Sequence, residues 1–174
     1  MTASHRLLLD HITTPIGRLA ILTDEQGRLR ATGFVDDHPR MARQLRALAD
    51  GAGATLFEIR DPHGVSATIE AYFAGDHGAI DRLRVEAAGT DFQRAVWGAL
   101  REIPCGVTWS YGELARKIGR PAAVRAVGLA NGANPIGIVV PCHRVIGADG
   151  SLTGYGGGLE RKRWLLAHEG VAVT

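Results

Sequence analysis

Cysteine is nearly absent, with two in 174 residues, Cys105 and Cys142. So sparse a supply makes no disulfide framework. With no Cys-x-x-Cys and no His-Glu-x-x-His it makes no zinc site either, so no metal and no cofactor is expected. No apolar run approaches the roughly 20 residues that a membrane-spanning helix needs. The opening stretch MTASHRLLLDHITTP interrupts its apolar run with charge and a proline, so it does not read as a leader. An extreme net charge is missing too, with 20 Lys and Arg against 18 Asp and Glu. These absences leave a soluble protein of a reducing, cytoplasmic compartment. A disordered chain is excluded by the 45% hydrophobic and 22% charged residues, which suffice for a packed core. The length allows one domain or two small ones, with no need of covalent staples.

What is present is unevenly placed. Residues 1–88 hold 12 acidic and 10 basic side chains, whereas residues 89–174 hold 6 and 10. The positive excess therefore lies in the second half, a bias that favours a polyanionic partner. Of 23 glycines, 15 fall in that half, where tight turns and close backbone approaches build sites.

The first half predicts strands over residues 6–12, 19–23 and 29–35, separated by Pro15-Ile16-Gly17 and Asp24-Glu25-Gln26-Gly27, an antiparallel meander. Pro39 suits the first turn of a helix in which Met41, Leu45, Leu48 and Ala49 recur, ended by Asp50-Gly51. A shorter helix fits residues 67–74 with Gly75 as its stop. His5, His11, His38, His63 and His77 are scattered, and none pairs with a nucleophile. Residues 80–89 read as a linker, which gives a scaffold domain over 1–85 and a second domain over 86–174.

The second half opens with Thr90 and Gln93, a capping box, followed by an apolar face of Phe92, Val96, Leu100 and Ile103 up to Pro104. Ser110 and Glu113 form another box, and that helix closes at Gly119. Pro121 then suits the start of a helix running to about Asn131-Gly132. Two short helices around a glycine turn outline a helix-turn-helix. The second, AAVRAVGLANG, is slim, with Arg125 its one long basic side chain.

Residues 136–140 are an apolar run of strand length, followed at once by Pro141-Cys142-His143-Arg144-Val145. If Pro141 bends the chain, a thiol and an imidazole meet at the end of a buried strand. A thiol with a pKa near ~8.5 needs a base or a positive field to become the nucleophilic thiolate, and histidine suits that work. The base in turn needs an orienting group, for which Glu169 and Asn134 are both candidates. Cys105 has no base beside it and reads as structural.

The blocks Ser110-Tyr111-Gly112-Glu113-Leu114-Ala115, Ala123-Val-Arg125-Ala-Val-Gly128, Asn131-Gly-Ala-Asn-Pro135, Pro141-Cys142-His143-Arg144-Val145, Gly154-Tyr155-Gly-Gly-Gly158 and Trp164-Leu-Leu-Ala-His-Glu-Gly170 together resemble the O6-alkylguanine-DNA alkyltransferases. The resemblance covers essentially all of residues 90–170. It implies an α+β protein, with a small ribonuclease-H-like antiparallel sheet domain followed by a mostly helical, winged-helix-like domain. It implies DNA repair by stoichiometric transfer of the alkyl group from O6-alkylguanine, and from O4-alkylthymine, in duplex DNA to Cys142. His143 is then the base acting through a water, Glu169 its orienting carboxylate and Asn134 the hinge. Tyr111 assists rotation of the target nucleotide, and Arg125 fills the gap it leaves. Val145 reads the guanine through its carbonyl, and Tyr155, Gly156 and Gly157 close over the base. The implied partner is double-stranded DNA, met through the minor groove by a monomer.

Three other readings are open to the residues alone. They are a DNA-binding regulator without chemistry, a cysteine hydrolase built on Cys142, His143 and Glu169, and a phosphate loop at residues 154–158.

Overall fold

The structure, a computed structural model, describes residues 5–173. Residues 1–4, the start of the stretch weighed as a leader, lie outside it. The chain divides into two compact units, one ending at Ala88 and one beginning at Gly89.

In the first unit, β1 (Arg6–Thr14), β2 (Gly17–Asp24) and β3 (Leu29–Phe34) form the antiparallel meander. The β1–β2 turn is held by the Thr14 hydroxyl, which donates to the Gly17 carbonyl at 2.6 Å. At the β2–β3 turn the buried Asp24 carboxylate accepts from the N–H groups of Gln26 and Arg28 at 3.0 and 2.9 Å. That is how an aspartate replaces missing backbone partners in a turn. Helix α1 (His38–Ala52) lays Met41 on a sheet face built from Leu7, Leu9, Ala20, Leu22 and Ala31. The approach is so close that a Cβ on Gly33 would overlap the Met41 methyl at 1.7 Å. Helix α2 (Val65–Phe73) packs against β1 and buries Val65, Ile69 and Tyr72.

Three expectations need correction. The first helix does not stop at Asp50-Gly51 but continues to Ala52, and Gly53, at φ +57°, makes the exit. A glycine inside a helix costs only about 1 kcal/mol relative to alanine, which packing of the rest of the helix outweighs. The sheet is not purely antiparallel. A fourth strand, β4 (Thr55–Glu58), pairs parallel to β1, giving the order β3-β2-β1-β4. All four of its residues are exposed, so no alternation of burial announces it; it is held by main-chain bonds such as Ile59 N–H to the Leu9 carbonyl at 3.0 Å. Finally, residues 80–89 are not a free linker. Residues 79–82 form a 3-10 turn, and Leu29 exchanges backbone bonds of 2.8 and 2.9 Å with Arg84 and Glu86, covering the outer edge of β3.

The second unit is mainly helical. Helix α3 (Asp91–Leu100) starts from a complete capping box at Thr90 and Gln93, with bonds of 3.0 and 3.1 Å. The pair β5 (Trp109–Ser110) and β6 (Val145–Ile146) is parallel. Ser110 then caps α4 (Tyr111–Lys117) through the second box, again in both directions. Gly119, at φ +73°, lets Arg120 N–H reach back to the Ala115 carbonyl at 2.9 Å, a glycine-dependent helix stop. Helix α5 (Val124–Gly132) follows and α6 (Leu159–His168) closes the unit. The helix expected from Pro121 thus begins at Val124, and Pro121-Ala122 belong to the connecting turn. Trp97 of α3 donates its indole N–H to the Ala130 carbonyl of α5 at 2.8 Å, fixing the two helices together.

Candidate active site

The apolar run before the cysteine is not a strand. Residues 136–140 form a buried succession of turns, with Ile138 at φ +73° and Val139 N–H bonded to the Gly137 carbonyl at 2.9 Å. The segment bonds to itself, with Val140 N–H on the Ile136 carbonyl at 2.9 Å, and to Asn134. The amide of Asn134 donates to the Val140 carbonyl at 2.8 Å, and its oxygen accepts from Ile136 N–H at 2.9 Å. Asn134 N–H bonds the Asn131 carbonyl of α5 at 3.3 Å. One buried residue therefore bonds the end of the second helix of the helix-turn-helix through its main chain, and a residue two places before Cys142 through its side chain.

Pro141 bends the chain as its position implied. Cys142 N–H reaches back to the Val140 carbonyl at 2.8 Å, and Cys142–Arg144 make one 3-10 turn. Cys142, His143 and Arg144 are all buried. The β5–β6 pairing then sets Ile146 beside Ser110, the cap of α4.

Glu169 reaches this turn from the far end of α6. Gly170, at φ +85°, allows Val171 N–H to bond the Leu166 carbonyl at 2.8 Å, which ends the helix with Glu169 as its last cap. A carboxylate at a helix C-terminus opposes the helix dipole, and three cationic or proton-bearing contacts offset that. His143 Nε2 lies 2.8 Å from Glu169 Oε1. Arg144 donates from Nε to Oε2 and from its terminal nitrogen to Oε1, both at 2.9 Å. Arg144 also donates to the Ile103 carbonyl at 2.7 Å. Burial alone would raise the Glu169 pKa, but the His143 and Arg144 bonds outweigh it and hold the carboxyl below the usual range. Burial pushes His143 the other way, below its ordinary value, against the pull of Glu169.

The tautomer follows. A glutamate held ionised accepts only, so His143 Nε2 carries the proton and Nδ1 carries the lone pair. That Nδ1 is buried and meets no hydrogen-bond partner among the described residues.

A residue that the motif reading missed completes the cluster. Lys162 is fully buried and donates to the Val145 carbonyl at 2.6 Å and to the Thr153 carbonyl at 2.7 Å. Burial lowers its pKa to about 8, opposed by the neighbouring Cys142. A signal was available, because Lys162, Leu165, Leu166 and Glu169 fall at the spacing of one buried helix face. Two charged residues on such a face need partners. For Arg144 nothing local gave such a signal.

The other candidates surround this cluster at different removes. Tyr111 is half-buried at the start of α4, and the Thr153 hydroxyl donates to its phenol oxygen at 3.1 Å. A Cβ on Gly128 would come 3.7 Å from the Tyr111 ring, so α5 runs close by. Tyr155 is half-buried, Gly156 is exposed, and a Cβ on Gly157 would stand 3.0 Å from the Tyr155 ring. Arg125 is exposed on α5, apart from the Glu169 network. Cys105 is partly exposed. Among the described residues no group of three metal-ligating side chains gathers, and no helix is long and apolar enough to cross a membrane.

Known proteins are similar to this chain over most of its length. A methylated-DNA–protein-cysteine methyltransferase of Salmonella typhimurium is 53% identical over 165 residues, spanning 95% of this chain and 96% of its own length. The chain belongs to that family. A relative of the same name from Methanosarcina acetivorans is 58% identical over 90% of this chain and 94% of its own. The family model for the DNA-binding domain of 6-O-methylguanine DNA methyltransferase matches residues 91–171, which is the second unit almost entire. Among solved structures, Mycobacterium tuberculosis OGT in complex with DNA shares 42% identity and superposes with a TM-score of 0.78, covering 94% of this chain and 93% of that one. The O6-methylguanine-DNA methyltransferase of Pyrococcus kodakaraensis superposes at 0.65 with 26% identity, over 95% of this chain and 99% of that one. Membership brings the whole α+β architecture, not the site alone.

Proposed function

We propose that this protein repairs DNA by moving the alkyl group of O6-alkylguanine, and of O4-alkylthymine, onto Cys142. The observation that carries the reading is the buried sequence Cys142-His143 with His143 Nε2 held at 2.8 Å by Glu169 and Nδ1 facing no partner among the described residues. That nitrogen is oriented as a base, and a bridging water is the route by which it takes the thiol proton. Lys162 adds positive charge close to the sulfur, which favours the thiolate.

The alkyl carbon of a paired base is shielded inside the duplex, so the nucleotide must be turned out, at a cost of a few kcal/mol. Arg125 fills the space left in the stack, entering from the minor groove, while Tyr111 steers the rotating nucleotide. Tyr155, Gly156 and Gly157 close over the base, and Val145 offers its carbonyl to the guanine amino group. Lys162 uses only one of that carbonyl's two lone pairs, so the second is open to the base. Asn134 holds the turn on which Cys142 sits to the end of α5. The sulfur then attacks the alkyl carbon; the carbon–sulfur bond forms as the carbon–oxygen bond breaks. The electron pair stays with the guanine oxygen, and the ring accepts a proton by way of Tyr111. The product is a thioether, and among the described residues no second nucleophile is placed beside Cys142 to take the alkyl group on, so each molecule reacts once. A free acceptor thiol needs a reducing compartment, hence the cytoplasm, and the site is complete in one chain, so the protein works as a monomer. The scaffold domain, residues 1–85, carries no part of the chemistry, which belongs to residues 86–174.

Intact and peptide mass spectrometry after incubation with a duplex holding one O6-methylguanine tests this directly. One added methyl on the Cys142 peptide, at one per protein molecule, is expected. Release of many methyl groups per molecule, or an unmodified Cys142 beside repaired DNA, contradicts the proposal.

A further inference from the structure

The exposed side of α5 is unusually poor in polar groups. The helix buries Val127, Ala130 and Asn131, and towards solvent it turns Val124, Arg125, Ala126 and Leu129. Leu129 is 74% exposed, against 43% for the next most exposed large hydrophobics among the described residues, Ile59 and Leu159. A single exposed leucine is unremarkable on a polar surface. Here no carboxylate, amide or hydroxyl shares the exposed side, whereas a water-facing helix surface is ordinarily polar. Leu129 also stands four residues after Arg125, on the same side of the helix, about 6 Å further along its axis. Its neighbours Gly128 and Gly132 carry no side chain to shield it, and a Cβ on Gly132 would meet nothing within 4 Å.

We infer that Leu129 is a second point of entry into the duplex, an apolar side chain seated in the minor groove one helical turn from Arg125. The inference rests on the proposed role of α5 in binding DNA. Its occupant is the apolar wall of the groove, the deoxyribose faces and the edges of stacked base pairs, where leucine and similar side chains act as wedges. Phosphates take no part. The arginine supplies charge and fills the vacated position; the leucine supplies desolvated contact to the adjoining step and holds the groove open around it.

Because the contact carries no charge, it has its own signature. Loss of a phosphate contact lowers the slope of log affinity against log salt by about one; loss of an apolar contact lowers affinity and leaves the slope alone. Fluorescence anisotropy with an unmodified labelled duplex, over a salt series, separates the two. Leu129→Ala is expected to raise Kd about tenfold with an unchanged slope. Leu129→Met, which keeps an apolar body, should restore most of the affinity. Thermal unfolding should be unaltered, since the side chain is mostly in water. Alkyl transfer from a methylated duplex should fall about tenfold more than transfer from free O6-benzylguanine. Unchanged duplex affinity in Leu129→Ala, or equal loss in the Met variant, overturns the inference. So does a wild-type sedimentation coefficient that rises with concentration and is abolished by Leu129→Ala, which would mean that a second copy covers this face. Arg125→Ala in the same assay tells the two levels apart. If it weakens duplex binding while Leu129→Ala does not, only the leucine contact fails. If neither does, the reading of α5 fails with it.

Discussion

Each unit buries one carboxylate and feeds it with arginine, yet the two clusters are assembled in opposite ways. Asp24 takes its donors from Gln26 and Arg28, with the Arg28 side chain at 2.7 Å and Arg30 at 3.8 Å. All lie within six residues of it. Glu169 takes its donors from His143 and Arg144, which a whole loop and a helix separate from it in sequence. The local cluster shapes the β2–β3 turn. The distant one exists only once α6 has docked and carried Glu169 to His143 and Arg144, 26 and 25 positions away in sequence. That difference teaches where chemistry can be housed. A turn aspartate is replaceable, because water can reach what it leaves behind; an inner glutamate is not, because buried charge without its partner is expensive.

The largest effect that would sharpen the contrast is chemical. Cys142→Ser should abolish the methyl mass gain on incubation with methylated duplex while leaving thermal unfolding close to wild type. Next comes Glu169→Gln, which leaves Arg144 buried beside a neutral group. It should cost about 3–5 kcal/mol in urea unfolding and slow transfer by at least about a hundredfold, as expected when a general base loses its orienting group. The wild type should also lose stability as pH falls below the ordinary glutamate value of 4.5, because the folded state holds this carboxyl below that value. Glu169→Gln should lose less over the same acid window; an identical acid profile would show that the carboxylate is not what the fold protects.

Lys162 gives a smaller, alkaline effect. Its folded pKa of about 8 lies under the ordinary lysine value of 10.5, so between those values the unfolded chain binds more protons than the folded one. Stability should therefore rise with pH across that window by up to about 1.4 kcal/mol per pH unit. Lys162→Met should flatten that rise. It should also lower the transfer rate below pH 8, where the charge beside Cys142 is otherwise present. The smallest effect is expected at the local cluster: Asp24→Asn should cost about 1 kcal/mol and leave transfer from duplex unchanged. Equal costs at Asp24 and Glu169 would erase the distinction between them.

Legibility follows the same division. The two capping boxes, the glycine stop at Gly119 and the turn at Asp24 are all short-range, and the structure repeats them residue by residue. The exposed strand β4 was invisible because its reason for existing is the open edge of β1, not its own side chains. The run before Cys142 looked like a strand because apolarity says that a segment is buried without saying how its backbone is satisfied. Asn134 contributes part of the answer, taking the Ile136 N–H and the Val140 carbonyl with its side chain.

By itself the chain order determined the helix limits marked by caps, the thiol–imidazole neighbours and the family pattern, since all of these depend on residues close together or on spacing. Only the tertiary structure decided that Arg144 and His143 share Glu169 and that Lys162 holds the Val145 carbonyl. Those are pairings of buried charge across the chain, and their energy is settled by which groups lose water together, a quantity that no local stretch of sequence contains.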